Sequence, residues 1–148
     1  MPNQMKTPTL RAAEYFQMGY SPQEVMEIMD QEKVVFPSFS GVLMEFLGKR
    51  NMSVDTLAGL SGINAASIYR FMNKERNPTR NALLRMAFAM QLSIQDTQVL
   101  LKSGNCASLS ASRPRDLIIM DGLINMKYID DVNQALIKRN MMDLSSRG

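Results

Sequence analysis

The sequence predicts an all-α fold, and three observations carry that expectation. Apolar residues recur at three- and four-residue spacing along the 148-residue chain, with almost no strict alternation. Good helix caps stand just ahead of the periodic runs, at Ser21, Ser53, Asn64, Thr79 and Ser93. Gly62, Gly104 and the Asn77-Pro78 pair fall where the runs stop, as helix-ending residues do. With 45% apolar and 21% charged residues, a packed core is feasible and wholesale disorder is not expected.

Taken in order, Leu10, Ala13 and Phe16 predict a first short helix. Ser21-Pro22-Gln23-Glu24 forms a capping box for a second, with Val25, Ile28 and Met29 inward. The stretch Val34 to Ser38, with Pro37, breaks the pattern and closes an acidic helical N-terminal extension, residues 1–36. Phe39, Leu43, Phe46 and Leu47 then line a helix that ends near Lys49-Arg50-Asn51. Ser53 caps a helix carrying Val54, Leu57, Ala58 and Leu60, and Gly62 stops it. Asn64 caps the next, through Ile68 and Met72. Thr79 opens the helix of Leu83, Leu84, Ala87 and Met90, and Ser93 that of Ile94, Thr97 and Leu101. Five short helices with tight turns make residues 37–104 a compact globule.

Residues 105–148 read as a Ser- and Ala-rich connector followed by a C-terminal helical hairpin. Leu117, Ile118, Ile119, Leu123 and Met126 define its first helix, Ile129, Val132 and Leu136 its second, and the tail after Met142 is expected to fray. Arg80-Asn81-Ala82-Leu83-Leu84 and Ser93-Ile94-Gln95-Asp96 echo Arg115-Asp116-Leu117-Ile118-Ile119 and Tyr128-Ile129-Asp130-Asp131. The echo is either two similar hairpins packed side by side or convergent patterning. Of the fourteen methionines, Met26, Met29, Met86, Met90 and Met126 fall on faces expected inward, as core filling.

Composition removes most chemistry. The chain has no histidine, so the Ser-His-Asp and Cys-His mechanisms and histidine metal sites are excluded. Its single cysteine, Cys106, permits no intramolecular disulfide and no multi-cysteine zinc site, and reads as an inert thiol. Asp116 and Asp130-Asp131 match no calcium-loop spacing and are expected to cap helices or pair with cations. No Gly-rich phosphate loop occurs. An enzyme is therefore not expected, nor a cofactor or a metal. No apolar stretch approaches the ~18 residues of a membrane helix, and the expected compartment is the cytoplasm.

The charge is unevenly spread. Residues 1–39 carry three basic and five acidic groups, residues 40–91 seven and three, and residues 92–148 seven and six. The three segments thus carry −2, +4 and +1, and the positive excess sits in the middle one, as expected where a polyanion is met. Within it, residues 53–73 have the grammar of a helix-turn-helix. Ala58 is small where a second helix must cross closely, Gly62 permits the sharp turn, and Ile63 fills the gap between the helices. The second helix is then available to a DNA major groove.

The run Ser53-x-x-x-Leu57-Ala58-x-x-Ser61-Gly62-Ile63-Asn64-x-x-Ser67-Ile68-Tyr69-Arg70, then Arg76-Asn77-Pro78 and Leu83-Leu84-x-x-Ala87, resembles the phage-repressor-like (Xre, lambda-repressor-like) helix-turn-helix family. The resemblance implies a lambda-repressor-like five-helix domain and a sequence-specific DNA-binding transcriptional regulator. It places Asn64, Ala65, Ala66, Ser67, Tyr69, Arg70 and Asn73 toward the bases. Ser53, Lys74, Arg76 and Arg80 would meet phosphates. The sequence departs from the family at Val54, where Gln is frequent, at Met72, often Glu, and at Lys74, often Gly. Ala65-Ala66 offers methyl contacts and no hydrogen bonds to base edges. The expected partners are double-stranded DNA and a second copy in a homodimer. A protein partner is expected through the C-terminal hairpin or the N-terminal extension. The alternative reading is an antitoxin-like or adaptor protein-interaction module with the same fold.

Overall fold

A computed structural model describes residues 8–31 and 38–145. The predicted break over residues 34–37 lies outside the described residues. Those residues are helical, without strands, and the chain divides into two compact units, Met1–Phe36 and Pro37–Gly148.

The first unit holds α1 (Pro8–Gln17) and α2 (Pro22–Gln31). The capping box forms as its spacing requires: the Glu24 N–H donates to Ser21 Oγ at 3.2 Å, and the Ser21 N–H to Glu24 Oε1 at 3.4 Å. The Tyr15 and Tyr20 rings meet edge to face, 5.6 Å apart. Val25 is buried and Ile28 and Met29 half-buried, while Leu10 and Phe16 remain exposed.

The second unit holds α3 (Phe39–Lys49), α4 (Val54–Ser61), α5 (Ala65–Met72), α6 (Arg80–Ala89), α7 (Ile94–Ser103), α8 (Pro114–Ile124) and α9 (Ile129–Lys138). Hydroxyls cap four of them: Ser38, Ser53, Thr79 and Ser93 each accept the N–H three residues on. One core runs through all seven helices, with Leu43, Leu57, Ile68, Leu84, Leu101 and Ile119 fully enclosed. Met86 and Met90 fill it as expected. Met26 and Met126 do not: both are exposed, Met126 because it sits past the end of α8 in a left-handed turn at φ 52.

The echo between the hairpins is a structural repeat. Helices α7 and α9 span 94–103 and 129–138, the same stretch shifted by 35 positions. The left-handed residues Gln91 and Asn105 recur at the same shift as Met126 and Asn140. Gln98 accepts the Leu109 N–H at 2.8 Å, and its counterpart Asn133 accepts the Leu144 N–H at 2.8 Å. Leu109 and Leu144 are both buried, so the connector is a packed part of the first hairpin. Likewise the tail as far as Leu144 does not fray. Arg80 Nε donates to Ala107 O at 2.9 Å, and its counterpart Arg115 Nε to Met142 O at 2.8 Å.

Each hairpin then reaches into the other. Arg80 forks onto the Asp116 carboxylate, Nη1 to Oδ1 at 3.0 Å and Nη2 to Oδ2 at 2.9 Å. In return Arg115 Nη2 donates to Asn81 Oδ1 at 2.8 Å. Asn81 is the counterpart of Asp116, so the exchange is reciprocal, as a two-fold relation between the hairpins requires. Burial pulls Arg115 below its usual value, as does the Arg80 charge, with Asp116 and Asp143 opposing. Burial pushes the Asp116 carboxyl up. The Arg80 fork, the Ser110 N–H at 2.9 Å and the charges of Arg80 and Arg113 outweigh that and hold it below the carboxylate range.

Candidate nucleic-acid interface

The joint between α4 and α5 sets the geometry. Ser53 opens α4, accepting the Thr56 N–H at 3.1 Å while its hydroxyl donates to Thr56 Oγ1 at 3.0 Å. Leu57 is fully buried, and Ala58 packs against the core. At Gly62 the backbone turns left-handed, φ 72 and ψ 16, and its N–H donates to Ala58 O at 3.0 Å. A side chain with a Cβ is strained there, which is why a glycine ends this helix. Ile63 is buried immediately afterwards, and its N–H donates to Ser61 Oγ at 3.3 Å. Asn64 Oδ1 then accepts the Ala66 N–H at 2.8 Å and starts α5.

Helix α5 is anchored by Ile68 and Phe71, both buried. The residues on its other side, Ala66, Tyr69, Arg70 and Asn73, are exposed and follow i, i+3, i+4 and i+7 spacing, so they form one stripe. Asn64 is exposed at the head of the helix, and Ser67 is half-buried beside the stripe. Ala65 departs from the expectation. It is half-buried and packs against the core, because the methyl one position before the stripe rotates about 100° away from it.

Three cations stand at the far end of the helix. Arg70 and Lys74 are exposed and have no ion-pair partner among the described residues. Arg76 is exposed, with its guanidinium carbon 6.0 Å from the Phe71 ring centre. The chain folds back here, the N–H groups of Glu75 and Arg76 both donating to Arg70 O at 2.9 and 3.3 Å. Lys74 takes φ 62, which explains why the related family often carries Gly at this position.

Arg80 corrects the expectation of a phosphate contact. Its guanidinium is committed to Asp116, Ala107 O and Ser108 O, and its side chain is 18% exposed. Val54, where the family often has Gln, is buried and serves the core.

Residues 42–97 match a family model described as a Cro/C1-type HTH DNA-binding domain, and this segment is similar to such a domain. No curated protein and no solved structure matches the chain. The match begins within α3 and ends in α7, so it includes the first helix of the α6–α7 hairpin but not the whole repeat.

Two arginines in the matched segment have roles that residue type alone did not give. Arg50 Nε donates to Met90 O at 2.7 Å and its Nη1 to Phe46 O at 2.9 Å, tying α3 to the end of α6. Arg85 lies beside the turn, its Nη1 4.0 Å from where a Cβ on Gly62 would stand. Burial lowers its pKa. The C-terminal end of the α4 dipole favours a cation at that place. Both acceptors of Arg50 are backbone carbonyls, one of them 40 positions away, so no side-chain pairing pattern signals it. Elsewhere, the Cys106 thiol donates to Pro78 O at 3.7 Å, and burial raises its pKa against the nearby Arg80 charge. Among the described residues no helix is long and apolar enough to cross a membrane.

Proposed function

We propose that the protein is a sequence-specific DNA-binding transcriptional regulator that acts by occupancy, with no chemical step, in the cytoplasm. Helix α5 enters the major groove. Ala66, Tyr69, Arg70 and Asn73 face the bases, with Asn64 and Ser67 at their margin, while Ser53, Lys74 and Arg76 meet the flanking phosphates. Residues 37–104 are the binding domain, residues 105–148 its packed extension, and residues 1–36 a separate acidic helical segment. A homodimer is part of the proposal: one such helix reads only a few base pairs, and two half-sites about 34 Å apart supply the rest of the affinity.

The observation that supports this reading best is the exposed stripe of α5, which includes Arg70 and is flanked by Lys74 and Arg76, in a segment similar to a Cro/C1-type domain. Selection of duplexes from a random pool tests it, and a two-fold repeated sequence is the expected product. Against the selected site, Arg70→Ala is expected to weaken binding by ~1–3 kcal/mol and to relax preference at one position. Arg76→Ala is expected to weaken all sequences alike and to reduce the salt slope by about 0.9. A folded Arg70→Ala protein with unchanged affinity and preference overturns the base-reading role.

A further inference from the structure

We propose that the corner between α8 and α9, facing α4, is a docking surface for a basic amphipathic segment of another protein. The repeat supplies an internal control for this corner. The first hairpin shows residues that satisfy the fold at each position, and this corner is one of the places where the second hairpin departs from it. Where the first has Ala89, Gln91 and Ser93, the second has Ile124, Met126 and Tyr128, which are 65%, 62% and 81% exposed.

These exchanges do not help the hairpin fold. Ser93 caps α7 by accepting the Asp96 N–H at 3.1 Å, whereas Tyr128 at the matching position gives α9 no side-chain cap. Met126 holds the same left-handed conformation as Gln91, so the exchange leaves the turn as it was and adds exposed apolar surface. A lost cap together with three exposed apolar side chains on one corner marks a site shaped by function. The buried side of the first hairpin changes the opposite way. Met86 and Met90 pack into the core, while Asp121 and Asn125 in the matching places are exposed and hydrogen-bonded to each other at 2.7 Å. The second hairpin is thus closed to a further domain on that side and open at the corner.

The corner adjoins an open groove of about 690 Å³, with Leu60 of α4 on one wall and Met126 and Tyr128 on the other, over Phe88 and Leu123. That is enough room for two or three apolar side chains. An exposed Tyr beside a hydrophobic groove is the kind of anchor on which protein interfaces concentrate their energy. Charge selects the occupant. Asp130 lines the groove and Asp131 is the next residue along α9, both exposed, while Lys127 is paired with Asp121 at 2.8 Å. An acidic lip disfavours a nucleic-acid backbone. It also disfavours a second copy docked by two-fold symmetry, which brings both acidic pairs into one interface. A cationic segment with apolar anchors suits both the groove and its lip.

The proposal does not depend on DNA recognition and is tested apart from it. Displayed random peptides of about 16 residues, roughly four helical turns, are selected on the full-length chain. Counter-selection uses the Ile124→Ala/Met126→Gln/Tyr128→Ser variant, which carries the first hairpin's residues. The expected peptides combine apolar residues at three- and four-residue spacing with Lys or Arg. A synthetic copy is expected to lose about tenfold in affinity for the triple variant and for Leu60→Gln on the opposite wall. With Asp130→Asn/Asp131→Asn it is expected to lose severalfold, together with most of its salt dependence. Leu60→Gln, on a separate helix, decides the matter should the triple variant not fold. Affinity for a selected duplex is expected to be unchanged in these variants, so failure of the regulator reading is seen separately. Absence of enriched peptides, or peptides that bind parent and variants alike, overturns the proposal. So does a parent whose self-association in sedimentation is abolished by the triple variant, since that assigns the corner to a second copy.

Discussion

Replacing Asp116 by asparagine removes the charge at the centre of the reciprocal clasp while keeping the side chain's shape. Asp116 is 1% exposed and takes two hydrogen bonds from Arg80 and one from the Ser110 N–H. An amide in the same place offers one acceptor oxygen and points its NH2 at a donor whichever way it is turned. One charge-assisted bond is lost, about 1.5–3 kcal/mol, and the mostly enclosed Arg80 charge is left without its counterion. The total is expected near 3 kcal/mol. For a unit of roughly 100 residues, that lowers the melting temperature by ~10 °C or more. Urea and thermal unfolding followed by circular dichroism measure it. A loss below about 1 kcal/mol refutes the view that this pair holds the hairpins together.

The same pair sets an acid limit. Because the Asp116 pKa is depressed in the folded protein, the unfolded chain binds the proton more readily. The stabilisation is therefore complete above the ordinary carboxylate range and is lost as pH falls below about 4. Urea midpoints across that range are expected to fall less steeply in Asp116→Asn than in the parent, and parallel curves contradict the assignment. Gly122→Ala sets a Cβ 2.6 Å from Val132 Cγ2 and 3.2 Å from the Phe88 ring. Overpacking of this kind costs about 1–3 kcal/mol and outweighs the ~1 kcal/mol that alanine contributes inside a helix. A variant as stable as the parent shows that α8 and α9 do not pack this tightly. Tyr128→Ser restores the missing cap and is expected to stabilise the protein by about 1 kcal/mol, read as a higher urea midpoint. A destabilised Tyr128→Ser protein means that the ring contributes to folding after all.

Much of the helical layout was legible because it is written in local signals. Ser53, Asn64, Thr79 and Ser93 each cap the helix their spacing assigns, and Gly62 turns left-handed where its helix stops. The candidate interface was legible to the extent that large residues mark helix faces: Ile68 and Phe71 inward fix Tyr69 and Arg70 outward. Alanine and methionine mark faces poorly, which is why Ala65 and Met126 stand on sides other than those expected. Left-handed turns at Lys74, Gln91 and Met126 have no residue signature, whereas those at Asn51, Asn105 and Asn140 do. Arg80 was misplaced for a different reason. Its acceptors lie 27 to 36 positions away, and a cation next to a binding motif looks the same whether it meets a phosphate or a carboxylate.

The interlocked forks bear on how far the family segment can be excised. A piece cut at residue 97 or even at Gly104 keeps Arg80 and Asn81 but discards Asp116 and Arg115, along with the Ala107 and Ser108 carbonyls. Leu84 and Phe88 would lose Ile119 and Leu123 from the core they share. The matched segment is therefore not expected to stand alone: part of its floor is laid by a second hairpin that lies beyond residue 97.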